Sequence, residues 1–333
     1  MHKVAIAADL GGTNLRLGLV SIDGRIVRRQ SISLPGASDP IELLKSGAKS
    51  FSAFGKGKGW KILGFGAAVP GVIDISRGVV TESPNYPGWR NLPLYSILSR
   101  DFPVPIVLEN DANAYAYGEG WKGAGRKFRT YVVLTLGTGV GGGLVLDGKI
   151  WRGSHGMAGE IGHVCVDPNG PPCNCGSRGC LEVFSSATGM TRMIREALAQ
   201  KIKSSLRGYL DLGERRPDPL DVYMEAKKGD VLALRSFEIA GKFLGVALAG
   251  IINLLNPEAI ILGGNVSRAY KFFAPAMKKE IILRAYDAPR KMTKILRATL
   301  GDNAGILGAA RVCFDGIKKT RPPSSGKPGL LRI

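Results

Sequence analysis

The chain has 333 residues and a formal net charge of +19, with 46 lysines and arginines against 27 aspartates and glutamates. This length predicts two domains, and the positive charge favours polyanionic partners, either nucleic acid or a phosphorylated small molecule. The basic residues lie in small groups without interleaved aromatic residues, which argues against a single-strand nucleic-acid binder and makes a solvated basic surface the simpler interpretation.

The first predicted elements are two strands joined by a glycine turn. Apolar runs at residues 4–8 and 15–20 flank the segment Asp9-Leu10-Gly11-Gly12-Thr13-Asn14. Residues 131–150 repeat this design around Gly137-Thr138-Gly139. The repetition predicts two similar α/β halves, with the N–H and hydroxyl groups of both turns facing a shared cleft and suited to phosphate. A purely structural role for each glycine is the alternative.

Two further predicted strands lead to polar loops. An apolar run at residues 63–69 ends at a Pro-Gly turn, and a rigid loop rich in proline and aromatic residues follows at residues 83–89. A run at residues 104–108 precedes an alanine-rich helix at residues 114–120, and Asp111 lies at the corner between them. Ligands of open α/β sheets gather beyond the carboxyl ends of strands, so Asp111 is well placed for catalysis. A helix N-cap is its alternative role.

A metal-binding loop is predicted between residues 159 and 182. One imidazole nitrogen and three sulfurs form the ligand set of a closed tetrahedral zinc site, and this loop offers them from His163, Cys173, Cys175 and Cys180. Intervening glycines and prolines turn the backbone tightly enough for the thiolates to converge. Four protein ligands leave no open position, so the zinc is expected to be structural. A disulfide is the weaker alternative.

Two carboxylates lie next to the predicted zinc ligands. Glu160 lies three residues before His163, and Glu182 lies two residues after Cys180. The metal loop would hold both carboxylates with little freedom, which suits a hydroxyl-rich ligand. Without that loop they would be interpreted as surface charges. The two cysteines outside the cluster are expected to be ordinary buried thiols, and these are Cys165 and Cys313.

The next part of the chain is predicted to be mainly helical. Residues 184–201 and 231–255 have helical periodicity, and a charged connector lies between them at residues 203–221. The most apolar stretch, residues 243–255, is shorter than the roughly 20 residues that a membrane-spanning helix needs. It therefore predicts a buried helix.

The C-terminal part contains a strand, a glycine corner and a final helix. The strand at residues 259–262 breaks at Gly263-Gly264, where a flat base or a phosphate could approach the backbone. A helix-entry turn would have the same sequence. Residues 302–314 predict the final helix, and residues 319–333 form a basic, proline-rich tail that is expected to be mobile.

Together these motifs resemble the ROK family of sugar kinases and sugar-responsive repressors, within the actin-like, hexokinase-like ATPase superfamily. The resemblance covers nearly the whole chain and is most specific in the zinc segment. It implies an α/β fold of two actin-like ATPase (ribonuclease H-like) domains flanking a cleft, with a structural zinc loop at residues 159–182. The small domain would contain residues 1–112 plus about 303–318, and the large domain residues 113–302.

The resemblance also implies roles for individual residues. Asp111 would be the base for the sugar hydroxyl. The sugar would be bound by Asn85, Asn110, Asp111, Glu160, His163 and Glu182. The phosphates of ATP would lie at Gly11, Gly12, Thr13, Gly137, Thr138 and Gly139. Adenosine would lie beside Gly263 and Gly264, Mg²⁺ near Asp9, and His163 would also ligate zinc.

The loop at residues 83–89 resembles the glucokinase form of the sugar loop, so the predicted activity is phosphorylation of glucose at its 6-hydroxyl by ATP. Kinases for N-acetylmannosamine, N-acetylglucosamine or fructose, and a glucokinase that uses polyphosphate, are the alternatives among enzymes. A sugar-binding regulator without turnover is the non-enzymatic alternative. Repressors of the family carry a winged helix-turn-helix before the first glycine turn, whereas only eight residues precede Asp9, which favours the enzyme.

The cellular context follows from the same features. The sequence begins without a signal-peptide pattern, so a cytoplasmic protein is expected. The resemblance implies a glycolytic enzyme that assembles as a homodimer or homotetramer. Partners other than the sugar and the phosphoryl donor are not expected, whether nucleic acid or membrane.

Overall fold

The computed structural model describes residues 2–34, 39–211 and 218–319. The chain divides into two compact units, of which the first contains residues 1–129, 143–159 and 299–333. The second contains residues 130–142 and 160–298. The expected basic tail lies outside the described residues from residue 320 onward.

The strands and helices are numbered in chain order. Among the described residues the strands are β1 (Lys3–Leu10), β2 (Asn14–Ser21), β3 (Ile26–Ser33), β4 (Lys61–Val69), β5 (Val72–Asp74), β6 (Val79–Glu82), β7 (Arg90–Leu92), β8 (Ile106–Asn110), β9 (Tyr131–Leu136), β10 (Val140–Leu146), β11 (Lys149–Ile150), β12 (Ala259–Gly263) and β13 (Lys294–Arg297). The α-helices are α1 (Pro40–Gly57), α2 (Leu94–Ser99), α3 (Asp111–Lys122), α4 (Glu182–Ser185), α5 (Ala187–Ala199), α6 (Gly208–Asp211), α7 (Pro219–Lys228), α8 (Val231–Leu255), α9 (Tyr270–Arg284), α10 (Asp287–Met292) and α11 (Ala304–Lys319). Short 3₁₀ turns include Ile161–His163, Val266–Ala269 and Gly301–Asn303.

A five-stranded sheet with the order β3-β2-β1-β4-β8 organises the first unit. Strand β1 is antiparallel to β2 and parallel to β4, and β4 is parallel to β8. Successive side chains of a strand point to opposite faces, so Ile6 joins the core formed with Phe51 of α1 while Ala5 and Ala7 join a second core with α11. Helices thus cover both faces of the sheet. Strands β5, β6 and β7 form a small separate antiparallel sheet.

Glycine allows close packing of α11 in the first unit. A Cβ atom at Gly66 of β4 would lie 2.0 Å from the carbonyl oxygen of Ala309, and one at Gly308 would lie 1.6 Å from the carbonyl oxygen of Ala114. Any side chain at either position would force the elements apart. Because α3 packs on α11 in this way, the first unit extends beyond the boundary expected at residue 112.

The second unit contains β9, β12 and β13, which are parallel neighbours within a sheet of order β11-β10-β9-β12-β13. Its longest helix, α8, was predicted residue for residue. By length and composition alone α8 could cross a membrane, but it packs closely on α9, where a Cβ atom at Gly241 would lie 2.2 Å from the carbonyl oxygen of Phe273. Helix α8 is therefore a core helix of this unit.

Several predicted boundaries were wrong. The strand predicted at residues 104–108 begins instead at Ile106, directly after Pro105, which has no N–H for a strand ladder. Strand β10 begins at Val140, directly after the glycine turn at residues 137–139. The helix predicted at residues 184–201 is broken at Ser186, whose side chain caps α5 by accepting from the N–H of Gly189 at 2.9 Å.

Some regular structure was not predicted. No element was assigned to residues 40–57 or 270–284, which form α1 and α9. The connector predicted at residues 203–221 contains α6 and the beginning of α7, whose N-cap is Asp218. Residues 212–217 of that connector lie outside the described residues.

Candidate active site and metal centre

The first glycine turn joins β1 to β2. The N–H of Gly11 donates to the carbonyl oxygen of Asn14 at 2.9 Å, and the strand register pairs Leu10 with Leu15 and Asp9 with Arg16. Gly12 and Thr13 are exposed. The hairpin therefore presents the turn at residues 11–13 at the end of β1, with Asp9 just behind it.

Asp9 is a partly buried carboxylate next to the first turn of α11. Arg16 lies 3.5 Å from Asp9 Oδ2 and 3.0 Å from Asp302 Oδ1. A Cβ atom at Gly305 would lie 2.3 Å from Asp9 Cγ, so only glycine fits there. Burial raises the pKa of Asp9 to about 6, against the lowering effect of Arg16. The negative charge of Asp9 is thus incompletely compensated, and a cation would suit this position.

The loop at residues 83–89, here called the sugar loop, packs on the first turn. The hydroxyl of Tyr86 donates to the carbonyl oxygen of Gly11 at 2.7 Å. A Cβ atom at Gly12 would lie 2.5 Å from Asn85 Nδ2. The Tyr86 ring stacks on buried Trp89 with 4.6 Å between the ring centroids. These contacts place Asn85 beside the predicted phosphate turn.

Asp111 is the first residue of α3, and the N-cap of this helix is Asn110. Asn110 Oδ1 accepts from the N–H of Asn113 at 3.1 Å, and Asn110 Nδ2 donates to the carbonyl oxygen of Gly71 at 3.1 Å. Asp111 Oδ1 accepts from the N–H of Ala112 at 2.9 Å. The alternative role considered for Asp111, the N-cap, thus belongs to its neighbour.

Asp111 also lies within electrostatic reach of the sugar loop. Burial is the main cause that raises the pKa of Tyr86, and the negative charge of Asp111 raises it further. The structure of the first unit therefore brings together the glycine turn at residues 11–13, the sugar loop and Asp111.

A buried ion pair supports the corner between β8 and α3. Glu109 is buried, and its Oε1 accepts from the N–H of Asn110 and from Asn113 Nδ2, both at 3.1 Å. Glu109 Oε2 accepts from Arg152 Nε at 3.0 Å and also from Arg152 Nη2. Four donors on one carboxylate fix the backbone on which Asp111 sits.

The second glycine turn is held by α4 and α5. The carbonyl oxygen of Gly137 accepts from the N–H of Ala187 at 2.8 Å, and the carbonyl oxygen of Thr138 accepts from Thr188 Oγ1 at 2.8 Å. Glu182 Oε2 accepts from the N–H of Val140 at 2.9 Å. A Cβ atom at Gly139 would lie 2.4 Å from the same oxygen, so Gly139 is needed for Glu182 to reach the turn.

The glycine corner after β12 lies beside this second turn. Gly264 has a φ of +79°, and a Cβ atom there would lie 2.3 Å from the carbonyl oxygen of Leu136, the last residue of β9. Ser267 Oγ donates to the carbonyl oxygen of Gly264 at 2.7 Å. Only glycine fits this left-handed conformation without strain. Because Leu136 directly precedes Gly137, the contact of Gly264 with Leu136 makes the corner and the turn at residues 137–139 neighbours in the second unit.

The four predicted metal ligands converge. Their ligand atoms all lie within 4.8 Å of one another. Two sulfurs bonded to one tetrahedral zinc at about 2.3 Å lie about 3.8 Å apart, and the distances are 3.7 Å between Cys175 Sγ and Cys180 Sγ and 3.7 Å between His163 Nδ1 and Cys173 Sγ. Burial raises the pKa of the Cys180 thiol to about 12, so a bound cation would be needed for its thiolate at neutral pH.

Glu160 and the two cysteines outside the cluster were also the subject of predictions. The N–H of His163 donates to the carbonyl oxygen of Glu160 at 3.0 Å, so a 3₁₀ turn connects Glu160 to this predicted metal ligand. Cys313 is buried, as predicted, but Cys165 is exposed. Cys165 forms an isolated β-bridge with Cys180, and in this bridge it is the side chain of Cys180 that enters the interior.

Similarity to known proteins shows the family of this chain. The model of the ROK family matches residues 5–315. The chain belongs to the ROK family. It is 38% identical to the glucokinase of Thermotoga maritima over 312 residues, which cover 94% of this chain and 98% of that protein. It is 31% identical to the xylose repressor of Caldicellulosiruptor bescii, over 91% of this chain and 76% of the repressor.

Solved structures of the ROK family share the fold. The crystal structure of a ROK glucokinase from Streptomyces griseus in complex with glucose and AMPPNP matches with a TM-score of 0.78 and 32% identity, over 94% of this chain and all of that chain, 100%. The predicted actin-like α/β fold is thereby confirmed.

The predicted ROK site residues fall into two groups. The first unit contains Asp9, Gly11, Gly12, Thr13, Asn85, Asn110 and Asp111. The second unit contains Gly137, Thr138, Gly139, Glu160, His163, Cys173, Cys175, Cys180, Glu182, Gly263 and Gly264. In the first unit the sugar loop contacts the turn at residues 11–13. In the second unit Glu182 contacts the turn at residues 137–139, and the histidine and three cysteines form one cluster. Their assigned roles stay predictions.

Three residues with contacts to the site were not predicted, namely Arg16, Tyr86 and Arg152. Arg16 could have been found, since a hairpin closed by residues 11–14 pairs it with Asp9 across the two strands. Tyr86 and Arg152 reach partners 75 and 43 residues away in the chain, and no local pattern indicates such contacts.

Proposed function

We propose that the protein is an ATP-dependent glucokinase that transfers the γ-phosphoryl group of ATP to the 6-hydroxyl of glucose. The observation that carries the proposal is the arrangement in the first unit. There the carboxylate of Asp111, the sugar loop and the glycine turn at residues 11–13 lie together. The similarity to glucokinases over nearly the whole chain supports the same activity.

Asp111 is the proposed base. Its carboxylate accepts the proton of the 6-hydroxyl as that oxygen attacks the γ-phosphorus, while the bond from phosphorus to the bridging oxygen of ADP breaks. The Asn110 cap and the Glu109–Arg152 ion pair hold the backbone of Asp111. This restraint keeps its carboxylate oriented toward the 6-hydroxyl in the proposed reaction. Hydroxyl groups of glucose are bound by Asn85, Asn110, Glu160, His163 and Glu182.

The phosphates of ATP bind at two glycine turns in this proposal. Turns without side chains expose N–H groups that suit an anion, and these are the turns at residues 11–13 and 137–139. Gly263 and Gly264 lie by the adenosine. Asp9 would hold Mg²⁺, which neutralises the phosphate charge when bound. The raised pKa of Asp9 fits this role, because a cation stabilises the charged form of a buried carboxylate.

The cluster of His163 and three cysteines is proposed to hold a structural zinc ion. The distances between its ligand atoms match a tetrahedral site. Such an ion would fix the segment from Glu160 to Glu182, and with it two of the proposed sugar ligands. Its contribution is thus to the order of this segment.

An assay of sugars against donors tests the proposal. Purified protein is incubated with Mg²⁺ and ATP or polyphosphate, and with glucose, fructose, N-acetylglucosamine or N-acetylmannosamine. Glucose 6-phosphate from ATP is the expected product with the highest kcat/KM. Preference for another sugar or for polyphosphate would replace the substrate assignment. Absence of turnover with every combination of sugar and donor would overturn the proposal that the protein is an enzyme.

A sugar-binding regulator is the second candidate, favoured by the 31% identity to the xylose repressor. A regulator would bind sugar without consuming ATP. Calorimetric binding of glucose or xylose, combined with no ATP consumption under the conditions above, would support it. We further propose that the protein is cytoplasmic and forms a homodimer or homotetramer, which light scattering after size-exclusion chromatography would measure.

A further inference from the structure

The sugar loop is connected to the first glycine turn through one tyrosine. The hydroxyl of Tyr86 donates to the carbonyl oxygen of Gly11 at 2.7 Å. Tyr86 is half-buried, and its ring stacks on Trp89, which is 7% exposed. The N–H of Trp89 also donates to the carbonyl oxygen of Tyr86 at 2.8 Å. The tyrosine ring is therefore held from the side of its own loop, and the hydroxyl reaches across to the turn.

A second contact lies beside this hydrogen bond. Asn85 Nδ2 occupies the space that a Cβ atom at Gly12 would need, at a distance of 2.5 Å. Two consecutive residues of the loop thus contact two consecutive residues of the turn. Asn85 is the loop residue proposed to bind sugar, whereas Gly11 and Gly12 belong to the turn proposed to bind phosphate.

The hydroxyl of Tyr86 is a dependable donor at physiological pH. Burial and the negative charge of Asp111 both raise its pKa above the ordinary value of a tyrosine, so it keeps its proton. The proton must point to an acceptor, and the carbonyl oxygen of Gly11 is that acceptor. The proton that this hydrogen bond needs is therefore present at the neutral pH at which a kinase would be assayed.

We propose that Tyr86 is a positioning residue that couples the binding of sugar to the binding of nucleotide, through its hydrogen bond from the sugar loop to the phosphate turn. The inference rests on the proposed function. A sugar bound to Asn85 restrains the loop, and Tyr86 transmits that restraint to Gly11. The turn then loses less conformational freedom when phosphates bind. By linkage, nucleotide tightens the binding of sugar by the same factor.

The test compares two tyrosine-to-phenylalanine variants. Tyr86→Phe removes only the hydroxyl. Tyr117→Phe is the matched control, since its hydroxyl donates to Asp315 Oδ2 at the same distance of 2.7 Å within the packing of α3 on α11. For each protein, calorimetry measures the Kd of a non-hydrolysable ATP analogue with Mg²⁺, with and without saturating glucose. The coupling factor is the Kd without glucose divided by the Kd with glucose.

Wild type and Tyr117→Phe are expected to have the same coupling factor, greater than one. In Tyr86→Phe the coupling factor is expected to fall by about two- to tenfold, which corresponds to the loss of one neutral hydrogen bond. If the wild-type factor is itself smaller than this decrease, the variant's factor should fall to one. Tyr86→Leu, which also removes the stacked ring, should lower it at least as far. Melting curves confirm that each variant is folded.

Three results would overturn the inference. These are an unchanged coupling factor in Tyr86→Phe, equal losses in Tyr86→Phe and Tyr117→Phe, and a coupling factor of one in an active wild-type enzyme. The proposed function fails separately, by absence of turnover in wild type with glucose and ATP. An active wild type with unchanged coupling in Tyr86→Phe would therefore remove only the role of Tyr86.

Discussion

Replacing Asp111 by asparagine separates a catalytic role from a structural one. Asparagine has nearly the same shape and keeps the Oδ1 atom that accepts from the N–H of Ala112 at 2.9 Å. It cannot take the proton of the sugar hydroxyl. The N-cap of α3 is unaffected, because Asn110 supplies it. The substitution therefore removes one negative charge at the beginning of a helix and one proton acceptor.

The two losses differ in size. A carboxylate in the first turn of a helix stabilises it by about 0.3–1 kcal/mol, which corresponds to a decrease in Tm of a few degrees at most. Loss of a general base lowers kcat by about 10² to 10⁴, equivalent to about 2.7–5.4 kcal/mol in the activation barrier. Catalysis should thus suffer several times more than stability, and sugar binding far less than kcat.

The assay is steady-state kinetics with glucose and ATP, accompanied by melting curves. Asp39→Asn is the matched control, because Asp39 caps α1 in the same unit by accepting from the N–H of Ile41 at 2.8 Å. It should show a similar small change in Tm with an unchanged kcat. A folded Asp111→Asn protein whose kcat stays within a few-fold of wild type would remove Asp111 from the mechanism. So would a loss of activity that merely matches the loss of folded protein.

Three other predictions follow from the site. The purified protein should contain about one zinc per chain. Cys175→Ser should lose the metal and weaken sugar binding, whereas Cys165→Ser, which changes an exposed cysteine outside the cluster, should keep both. Metal analysis that finds no zinc in active wild type would contradict this prediction. Glucose should have a higher kcat/KM than N-acetylmannosamine, because a site that hydrogen-bonds a hydroxyl through Asn85 leaves polar groups unpaired when that hydroxyl is altered; equal values would refute the assignment. The pKa of Asp9 is raised to about 6, so its carboxylate gains a proton as the pH falls through 6. If Asp9 holds Mg²⁺, the Mg²⁺ concentration for half-maximal activity should therefore rise by up to about tenfold per pH unit below that value. A constant Mg²⁺ requirement from pH 5 to 7 would exclude Asp9 as the Mg²⁺ ligand.

Local patterns in the sequence were sufficient where local chemistry determines the structure. The helix at residues 231–255 was predicted with both ends from its apolar periodicity. In the structure Asp230 caps its first turn, and Asn256 ends it in a left-handed conformation. The metal cluster was predicted because three cysteines and a histidine at this spacing have few other uses in a reducing compartment. Both features depend on residues close together in the chain.

Helix α1 was missed because packing rather than propensity favours it. Its sequence contains Gly47 and Gly55, and glycine is unfavourable within a helix by about 1 kcal/mol relative to alanine. In the structure these glycines allow contact with β2 and β4, since a Cβ atom at Gly47 would lie 2.3 Å from Leu17 Cδ1 and one at Gly55 would lie 2.7 Å from Ile62 Cδ1. The reason for each glycine is a partner distant in sequence.

The same separation explains the site residues that were missed. The hydrogen bond from Tyr86 to Gly11 and the ion pair of Arg152 with Glu109 join residues that are 75 and 43 positions apart in the chain. Asp111 was found because it lies at a strand-to-helix corner. Its alternative role as an N-cap could not be settled from sequence, since Asn110 and Asp111 are both good capping residues.

The close packing of α11 on the first sheet has a consequence for the order of folding. Strands β1 and β4 are synthesised early, yet one of their faces is covered by a helix that begins at Ala304. On the ribosome the alanine-rich face of β1 must wait for nearly the whole chain, while residues 160–298 can already fold. Such long-range closure slows folding. A nascent chain that ends at residue 298 and is tethered to the ribosome by a linker long enough to clear the exit tunnel should therefore display a protease-resistant second unit and a protease-sensitive first one.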